Sequence, residues 1–528
     1  MKISILDCTL RDGGYINQWR FTEKQITSIL NNLALSNIDY IECGYLKYST
    51  ENNSDTTLFK KVEQIRNYLP FNKKSNNFVV MINYGEYPIE HLPVNNGEIF
   101  GIRVAFRRQD WQEAMEYCQQ IKDKGYYVFI QPMITINYSD IELLDMIQII
   151  NDIQPYAVYI VDSFGVMKPK DLLRLTYLLD HNLESKIKLG FHGHNNLQLV
   201  FSNATHFVES NITRDIIIDS SVYGMGRGAG NLNTELFVEY LNDRHAAKYV
   251  LTPLLKIIDE SLMTIYQENY WGYSLPYFIA ARNNCHPNYA NYLLNKNSLN
   301  VEDIERIIKS IEDNKKDAFD KLYIEDIYIN YQTRRSKSIV LSNDIHEVFA
   351  EKDVLIIGPG KSILSMENID LYAENQNNIV VSVNFIPQIC SVDYIFISNS
   401  KRFEHLDKSE KPLIVTSNIN YPGADYKVDY KALLHHDLEI HDNALVMLLK
   451  LLINSNAHKA ILIGFDGYEI DINENYSDAD HIIPMDREKV QVLNRKIGTS
   501  IQELSSEIEI VFNTPSKYFK TEDHVIKI

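Results

Sequence analysis

Cysteine is scarce in this 528-residue chain: Cys8, Cys43, Cys118, Cys285 and Cys390 are widely spaced, odd in number and form no CxxC pair. That usage excludes a disulfide framework or a zinc ribbon and fits a reducing compartment. Long basic runs are also missing. Lys and Arg number 52 against 70 acidic residues, for a net charge of -18 and a pI near 5.3. Such a balance repels phosphate backbones and speaks against nucleic-acid binding, while leaving room for a local basic pocket around a phosphorylated ligand. No apolar run approaches the length of a bilayer span, and a β-rich run begins after a single lysine, with no long apolar leader. The expectation is a cytoplasmic protein without a membrane partner. What is present, 45% hydrophobic and 23% charged residues, is globular, and the length calls for two or three domains.

From residue 2 to about 250, short β-rich runs alternate with helical patterns. The candidate strands are Ile3–Cys8, Tyr40–Gly44, Phe78–Asn83, Gly101–Phe106, Tyr127–Pro132, Ala157–Asp162, Ile187–Phe191 and Asp215–Ser220. In the first helix Thr22 and Gln25 have capping-box spacing, and Ile26, Ile29, Leu30 and Leu33 recur at helical spacing. Eight βα units over residues 1–250 predict an α/β fold, a TIM (β/α)8 barrel with its active site at the C-terminal strand ends.

Polar residues gather at those ends. Arg11 and Asp12 follow the first strand, Glu42 lies near the end of the second, Arg103 is in the fourth and Gln131 in the fifth. Asp162 and Ser163 end the sixth, and Gly190-Phe191-His192-Gly193-His194 ends the seventh with two histidines one residue apart. Alternate strand residues point the same way, so His192 and His194 can present their rings to one point, and a carboxylate there would complete a facial three-ligand set with open positions for a catalytic divalent metal; a strand-end aspartate such as Asp12 reads either as that carboxylate or as a helix cap or turn former. Glu42 and Asp162 have two readings, as catalytic carboxylates or as buried partners of Arg11 or Arg103. The run Gly224 to Gly230 is read as a tight loop that aims Asn231 inward, since a glycine pattern alone is weak grounds for a phosphate site.

The pieces Thr9-Leu10-Arg11-Asp12-Gly13, Ile41-Glu42-Cys43-Gly44, Val161-Asp162-Ser163-Phe164-Gly165, Gly193-His194-Asn195-Asn196-Leu197 and Gly226 to Asn231 resemble the metal-dependent Asp-Arg-Glu barrel lyases and aldolases. That superfamily includes 3-hydroxy-3-methylglutaryl-CoA lyase, isopropylmalate synthase and 4-hydroxy-2-oxovalerate aldolase. Asp162 to Gly165 with Met167 and Pro169 is most similar to the aldolase branch. The resemblance implies Asp12, His192 and His194 as metal ligands, Asn231 as a further ligand or supporting residue, and Arg11 as the catalytic arginine. Arg103, Gln131 and Ser163 are taken as substrate-binding residues. It further implies a homo-oligomer and a divalent ion, Mn2+ first, with Mg2+, Co2+ or Zn2+ as alternatives.

Cleaving a carbon-carbon bond beside a ketone leaves an enolate, which a metal chelated by the 2-oxo and carboxylate oxygens of pyruvate stabilises together with Arg11. The implied reactants are pyruvate and an aldehyde, or a 4-hydroxy-2-oxo acid. The alternatives are a Claisen-type acyl-CoA lyase or synthase on the same site, or an inactive barrel serving as scaffold. One departure stands out: the aldolase relatives carry a histidine base three residues after the ligand Asp, where this chain has Tyr15. A phenol is a poor base at neutral pH, so either Tyr15 only orients the substrate or another residue, His286 being one choice, takes the proton.

Residues 251–335 read as a helical extension, with Ile304, Ile307, Ile308 and Ile311 on one stripe, and a linker falls near residues 332–337. The aromatic stretch from Tyr270 to Tyr289 reads as packing or as a lid over the site. Residues 336–528 restart the βα pattern as a Rossmann-like domain. Its Gly358-Pro359-Gly360-Lys361-Ser362 turn is either a phosphate cradle or merely tight, because it lacks the Walker spacing and Pro359 has no amide donor. Asn384 and Asp466 are polar strand ends. The ensemble faintly resembles bacterial sugar-modifying proteins, motility accessory factors and some sialyltransferases, which implies a nucleotide or nucleotide-activated sugar held by Gly358, Gly360, Lys361, Ser362, Asn384 and Asp466.

Overall fold

Short apolar runs separated by helical segments build parallel strands, because a parallel neighbour is reached only through a crossover. The computed structural model describes residues 1–49, 55–70, 77–296, 298–334, 341, 342, 344–365, 377–388, 390–403, 406, 409–470, 475 and 487–519. The first half holds β1 (Ile3–Asp7), β2 (Tyr40–Leu46), β3 (Leu58–Phe59), β4 (Asn77–Asn83), β5 (Gly101–Phe106), β6 (Tyr127–Pro132), β7 (Ala157–Asp162), β8 (Lys188–Gly193) and β9 (Ile216–Ser220). All pairings are parallel, and β1 bonds both β9 and β2, closing an eight-stranded barrel to which β3 adds beside β2. The barrel expected from the βα alternation is present. Thr22 and Gln25 form the expected capping box.

Strand alternation divides the core. Ile5, Val80, Ile130, Ile160 and Ile218 face the surrounding helices, while Leu6, Val79, Phe129, Tyr159 and Ile217 fill the lumen with Tyr40. The lumen is therefore plugged by apolar and aromatic side chains. Arg103 lies on this plug, its guanidinium carbon 5.0 Å from the Tyr159 ring centroid. Polar groups have room only above it, toward the C-terminal strand ends.

The chain divides into two compact units, Met1–Asn291 with Asp313–Phe319, and Tyr292–Glu312 with Asp320–Ile528. The helical stretch after the barrel contributes to both. Ile304, Ile307, Ile308 and Ile311 are buried, as their spacing predicts. Residues 335–337 of the expected linker lie outside the described residues.

The second unit is a parallel sheet of β10 (Asp353–Ile357), β11 (Asn378–Val383), β12 (Tyr394–Ile397), β13 (Leu413–Thr416), β14 (Tyr426–Val428), β15 (Lys459–Ile463) and β16 (Glu509–Phe512). Its order is β14-β13-β12-β11-β10-β15-β16, so strand succession reverses between β10 and β15. Val354 and Ile356 pack on one face and Leu355 and Ile357 on the other, the mark of a sheet covered on both sides. The edge strands β14 and β16 were not anticipated from the sequence. Among the described residues no helix is long and apolar enough to cross a membrane.

Candidate metal centre and active site

Asp12, His192 and His194 meet at the C-terminal end of the barrel. Asp12 sits in the turn after β1, and the two histidines stand on β8 and just beyond it. One potential ligand atom from each lies within 4.8 Å of the others, and all three residues are buried. The histidine rings are 5.2 Å apart at 88°, and His194 Nε2 is 3.8 Å from Asp12 Oδ2.

The surrounding hydrogen bonds set the ring tautomers. His192 Nδ1 is 2.9 Å from Asp219 Oδ2, and His194 Nδ1 is 3.1 Å from the Arg227 carbonyl oxygen. Both partners only accept, so each Nδ1 carries the proton and each Nε2 presents its lone pair, the state a metal requires. Burial, partly opposed by Asp12, pulls His194 down to about 4, which keeps its imidazole neutral at physiological pH.

A ring of charges supports the triad from below. Arg11 donates from Nη1 to Asp12 Oδ1 at 2.6 Å and from Nε to Glu42 Oε2 at 2.7 Å. Arg103 reaches Glu42 Oε1 at 2.9 Å with Nη1 and Asp219 with Nη2. The Gln131 amide, turned to present its oxygen, accepts from Arg103 at 3.1 and 3.3 Å. Burial favours a neutral Asp12, but Arg11, His194, His192 and the Asn231 amide outweigh it and hold the carboxyl well below the usual range. Asp219 is likewise lowered against its burial, by Arg103 and His192.

Three buried carboxylates, Asp12, Glu42 and Asp219, thus face two guanidinium groups, leaving one negative charge before the imidazoles are counted. Asn231 donates from Nδ2 to Asp12 Oδ2 at 2.6 Å, and its buried Oδ1 has no hydrogen-bond partner. An excess negative charge, two outward lone pairs and an orphan oxygen fit a divalent cation with exchangeable positions.

Residues 2–259 match the HMGL-like family. The first half of the chain is similar to a 4-hydroxy-2-oxovalerate aldolase of Geobacillus genomosp. 3, 25% identical over an alignment of 286 residues that covers 50% of this chain and 82% of that protein. A 4-hydroxy-2-oxovalerate aldolase of Bacillus cereus is 29% identical over 245 residues, 46% of this chain and 70% of the relative. A solved N-terminal domain of an aldolase candidate from Bacteroides vulgatus aligns at 28% identity and a TM-score of 0.46, covering 55% of this chain and 96% of that one. The triad is thus a metal-site candidate in a barrel whose residues 2–259 match the HMGL-like family model.

At the rim of the barrel Tyr15 is 39% exposed, with its hydroxyl 3.2 Å from that of Tyr45. Asp162 accepts from the amides of Val166 and Met167 at 2.9 and 3.0 Å, so both its oxygens hold its own loop. Burial, against those bonds, pushes its pKa up to about 6. Ser163 Oγ accepts from the Ile134 amide at 3.1 Å. His286 does fold onto the rim, near Phe164, where its Nε2 meets Arg227 Nη2. Burial, then Arg227 and Arg107, lower its pKa to about 3. In the aromatic stretch Trp271 and Tyr289 are buried, while Tyr270 and Tyr273 are exposed. Arg103 is fully buried on Glu42, Asp219 and Gln131. The glycine loop folds closely around Asn231: a Cβ on Gly226 would come within 2.5 Å of the Asn231 amide nitrogen, and one on Gly230, whose φ is +87°, within 2.2 Å of the Gly224 carbonyl oxygen. Asp219 and Arg227 were not singled out from the sequence. An aspartate at the end of Ile216-Ile217-Ile218 was the available signal for the first.

The second unit has its own cavity of about 480 Å3 at the C-terminal ends of β10, β11 and β15, lined among others by Gly360, Asn384 and Asp466. Gly358, Lys361 and Ser362 are not among its lining residues. The turn amides already donate within the protein: Gly358 to Ile463 and Gly360 to Gly464 at 2.8 and 2.9 Å, and Ser362 to Asp466 at 2.8 Å. A cradle of those amides is therefore closed. Asn384 Oδ1 accepts from the Ser398 amide at 3.2 Å. Lys296, Lys321, Arg402 and Lys489 stand on the cavity lining with Glu439 and Asp442. Lys296 is 2.9 Å from Glu325.

Proposed function

We propose that this chain is a divalent-metal-dependent aldolase that forms or cleaves a 4-hydroxy-2-oxo acid, with pyruvate and an aldehyde as the other reactants. The observation that carries the reading is Arg11 bridging Asp12 and Glu42 beside the Asp12, His192 and His194 triad in an HMGL-like barrel. A divalent ion held by the triad, manganese in preference to magnesium, cobalt or zinc, supplies Lewis-acid polarisation of the 2-oxo group.

In the cleavage direction the 4-hydroxyl gives its proton to a water in the site, the adjacent carbon-carbon bond breaks, the aldehyde leaves, and the electron pair moves toward the 2-oxygen. The methyl carbon then regains a proton to give pyruvate. With Nε on Glu42 and Nη1 on Asp12, Arg11 has Nη2 left to donate to the oxygen that gains charge. It is held from two sides, so it needs no reorganisation as that charge develops. Tyr15, hydrogen-bonded to Tyr45, orients the 4-hydroxyl. His286 stays neutral with Nε2 facing Arg227 and acts by position. Arg103 and Gln131 act from below, by fixing Glu42 and Asp219.

The second unit is proposed to bind a nucleotide or activated sugar. Its cavity lies in the crevice where strand succession reverses, the usual ligand position in open parallel sheets, and four cationic side chains line it in an otherwise acidic chain. The enzyme is read as a cytoplasmic homo-oligomer whose five thiols stay free. An aldehyde panel with pyruvate and Mn2+, following pyruvate loss and product mass, tests the activity. Turnover of acyl-CoA compounds without pyruvate consumption by any aldehyde contradicts it.

A further inference from the structure

Arg227 is the half-buried cation at this rim without an anionic partner. Arg11 and Arg103 are each held by two carboxylates, whereas Arg227 makes no ion pair among the described residues. Its guanidinium instead contacts a neutral acceptor and a ring: Nη2 meets His286 Nε2, and its central carbon is 5.8 Å from the Tyr15 ring centroid. Arg107, exposed on the loop after β5, adds a second positive charge near His286. A guanidinium turned among aromatic and imidazole groups loses hydration, and that loss is offset when an anion is placed against it.

Its position gives the charge a use. The Arg227 carbonyl oxygen fixes the metal-ligand candidate His194 at 3.1 Å, and its guanidinium stands over Tyr15, three residues after Asp12. Arg227 therefore borders the part of the site that meets the incoming aldehyde. We infer that Arg227, with His286 and Tyr15, recognises a negative charge on the acceptor, so that the aldehyde carries a remote carboxylate or phosphate group. This deepens the aldolase reading and rests on it. The alternative is a structural clasp that holds the 286 segment over the rim through the Arg227 and His286 contact.

The test uses the full chain loaded with Mn2+ and pairs of aldehydes of equal carbon chain length: 4-oxobutanoate against butanal, and glycolaldehyde phosphate against glycolaldehyde, each with pyruvate. The charged member of at least one pair is expected to have a kcat/KM about 10- to 100-fold higher, the responding pair identifying carboxylate or phosphate. Arg227→Gln is expected to collapse that ratio, Arg227→Lys to restore part of it, and metal content to stay level, because His194 is held by backbone. A binding readout runs beside it: 2-oxoadipate should bind the wild type about tenfold or more tighter than 2-oxohexanoate, and Arg227→Gln should erase the difference. Turnover of neutral and charged aldehydes with equal kcat/KM, or equal binding of the two oxo acids, overturns the inference and leaves the aldolase reading standing. Pyruvate consumption with no member of either pair, and no binding of either oxo acid, removes both.

Discussion

Replacing Asp219 by asparagine isolates the charge that stands behind His192. Asp219 Oδ2 accepts from both His192 Nδ1 and Arg103 Nη2, while Oδ1 has no hydrogen-bond partner. An amide with its oxygen at the Oδ2 position keeps both bonds and puts its NH2 at the Oδ1 position. What is lost is one negative charge, which takes the buried carboxylates and guanidinium groups from an excess of one to neutrality. Groups behind metal-binding histidines are worth about 10- to 100-fold in metal affinity, or about 1.4 to 2.7 kcal/mol. Arg103 keeps Glu42 but loses its second counter-charge, for which about 1 to 3 kcal/mol of apo-protein stability is expected to go. Competition of Mn2+ against a chelator reads the first number, and thermal unfolding of the metal-free protein reads the second. A metal affinity within about threefold of the wild type would refute the view that Asp219 tunes the His192 ligand.

Three further outcomes follow from the same geometry. Arg11→Lys keeps a cation but loses the fork that spans Asp12 and Glu42, so turnover should fall by about 100-fold or more with metal content retained, as single-turnover kinetics and metal analysis will show. Asp7, whose pKa burial pushes up from 3.8 to about 6, takes up a proton on folding. The stability linked to that proton is fully present below 3.8 and is lost as pH rises through about 6. Asp7→Asn should therefore gain on the wild type by about 1.4 kcal/mol between about pH 5 and 7.5, in denaturant titrations at the two pH values. Gly360→Ala would set a Cβ 2.5 Å from the Gly464 carbonyl oxygen and 2.7 Å from the Asp466 carboxyl carbon, and is expected to destabilise the second unit by about 1 to 3 kcal/mol, read as a lower melting transition.

Much of the site was legible because it rests on local rules. The period of two in β8 puts His192 and His194 on one face, and the closed barrel brings Asp12 to them from a strand almost the whole unit away. The loop glycines announced a close approach, and Asn231 is what they approach. The supports were less legible. Asp219 reads in sequence as an ordinary strand-end aspartate, and its role depends on Arg103 from the opposite side of the lumen, a pairing that no periodicity encodes. Arg103 and Gln131 could be placed near the rim, but which way a side chain turns inside a barrel depends on the layer beneath it, here Tyr159. In the second unit the Gly358 to Ser362 turn was visible, yet its amides are occupied by Ile463, Gly464 and Asp466 from a strand end about a hundred residues later, so only the fold reveals that the cradle is closed.

The most direct test of the account is the stoichiometry and location of bound metal. Purified protein loaded with Mn2+ is predicted to hold about one ion per chain, with an anomalous scattering peak within bonding distance of Asp12, His192 and His194, and to lose it in Asp12→Asn. A metal-free protein after loading, or an ion that Asp12→Asn leaves in place, contradicts it.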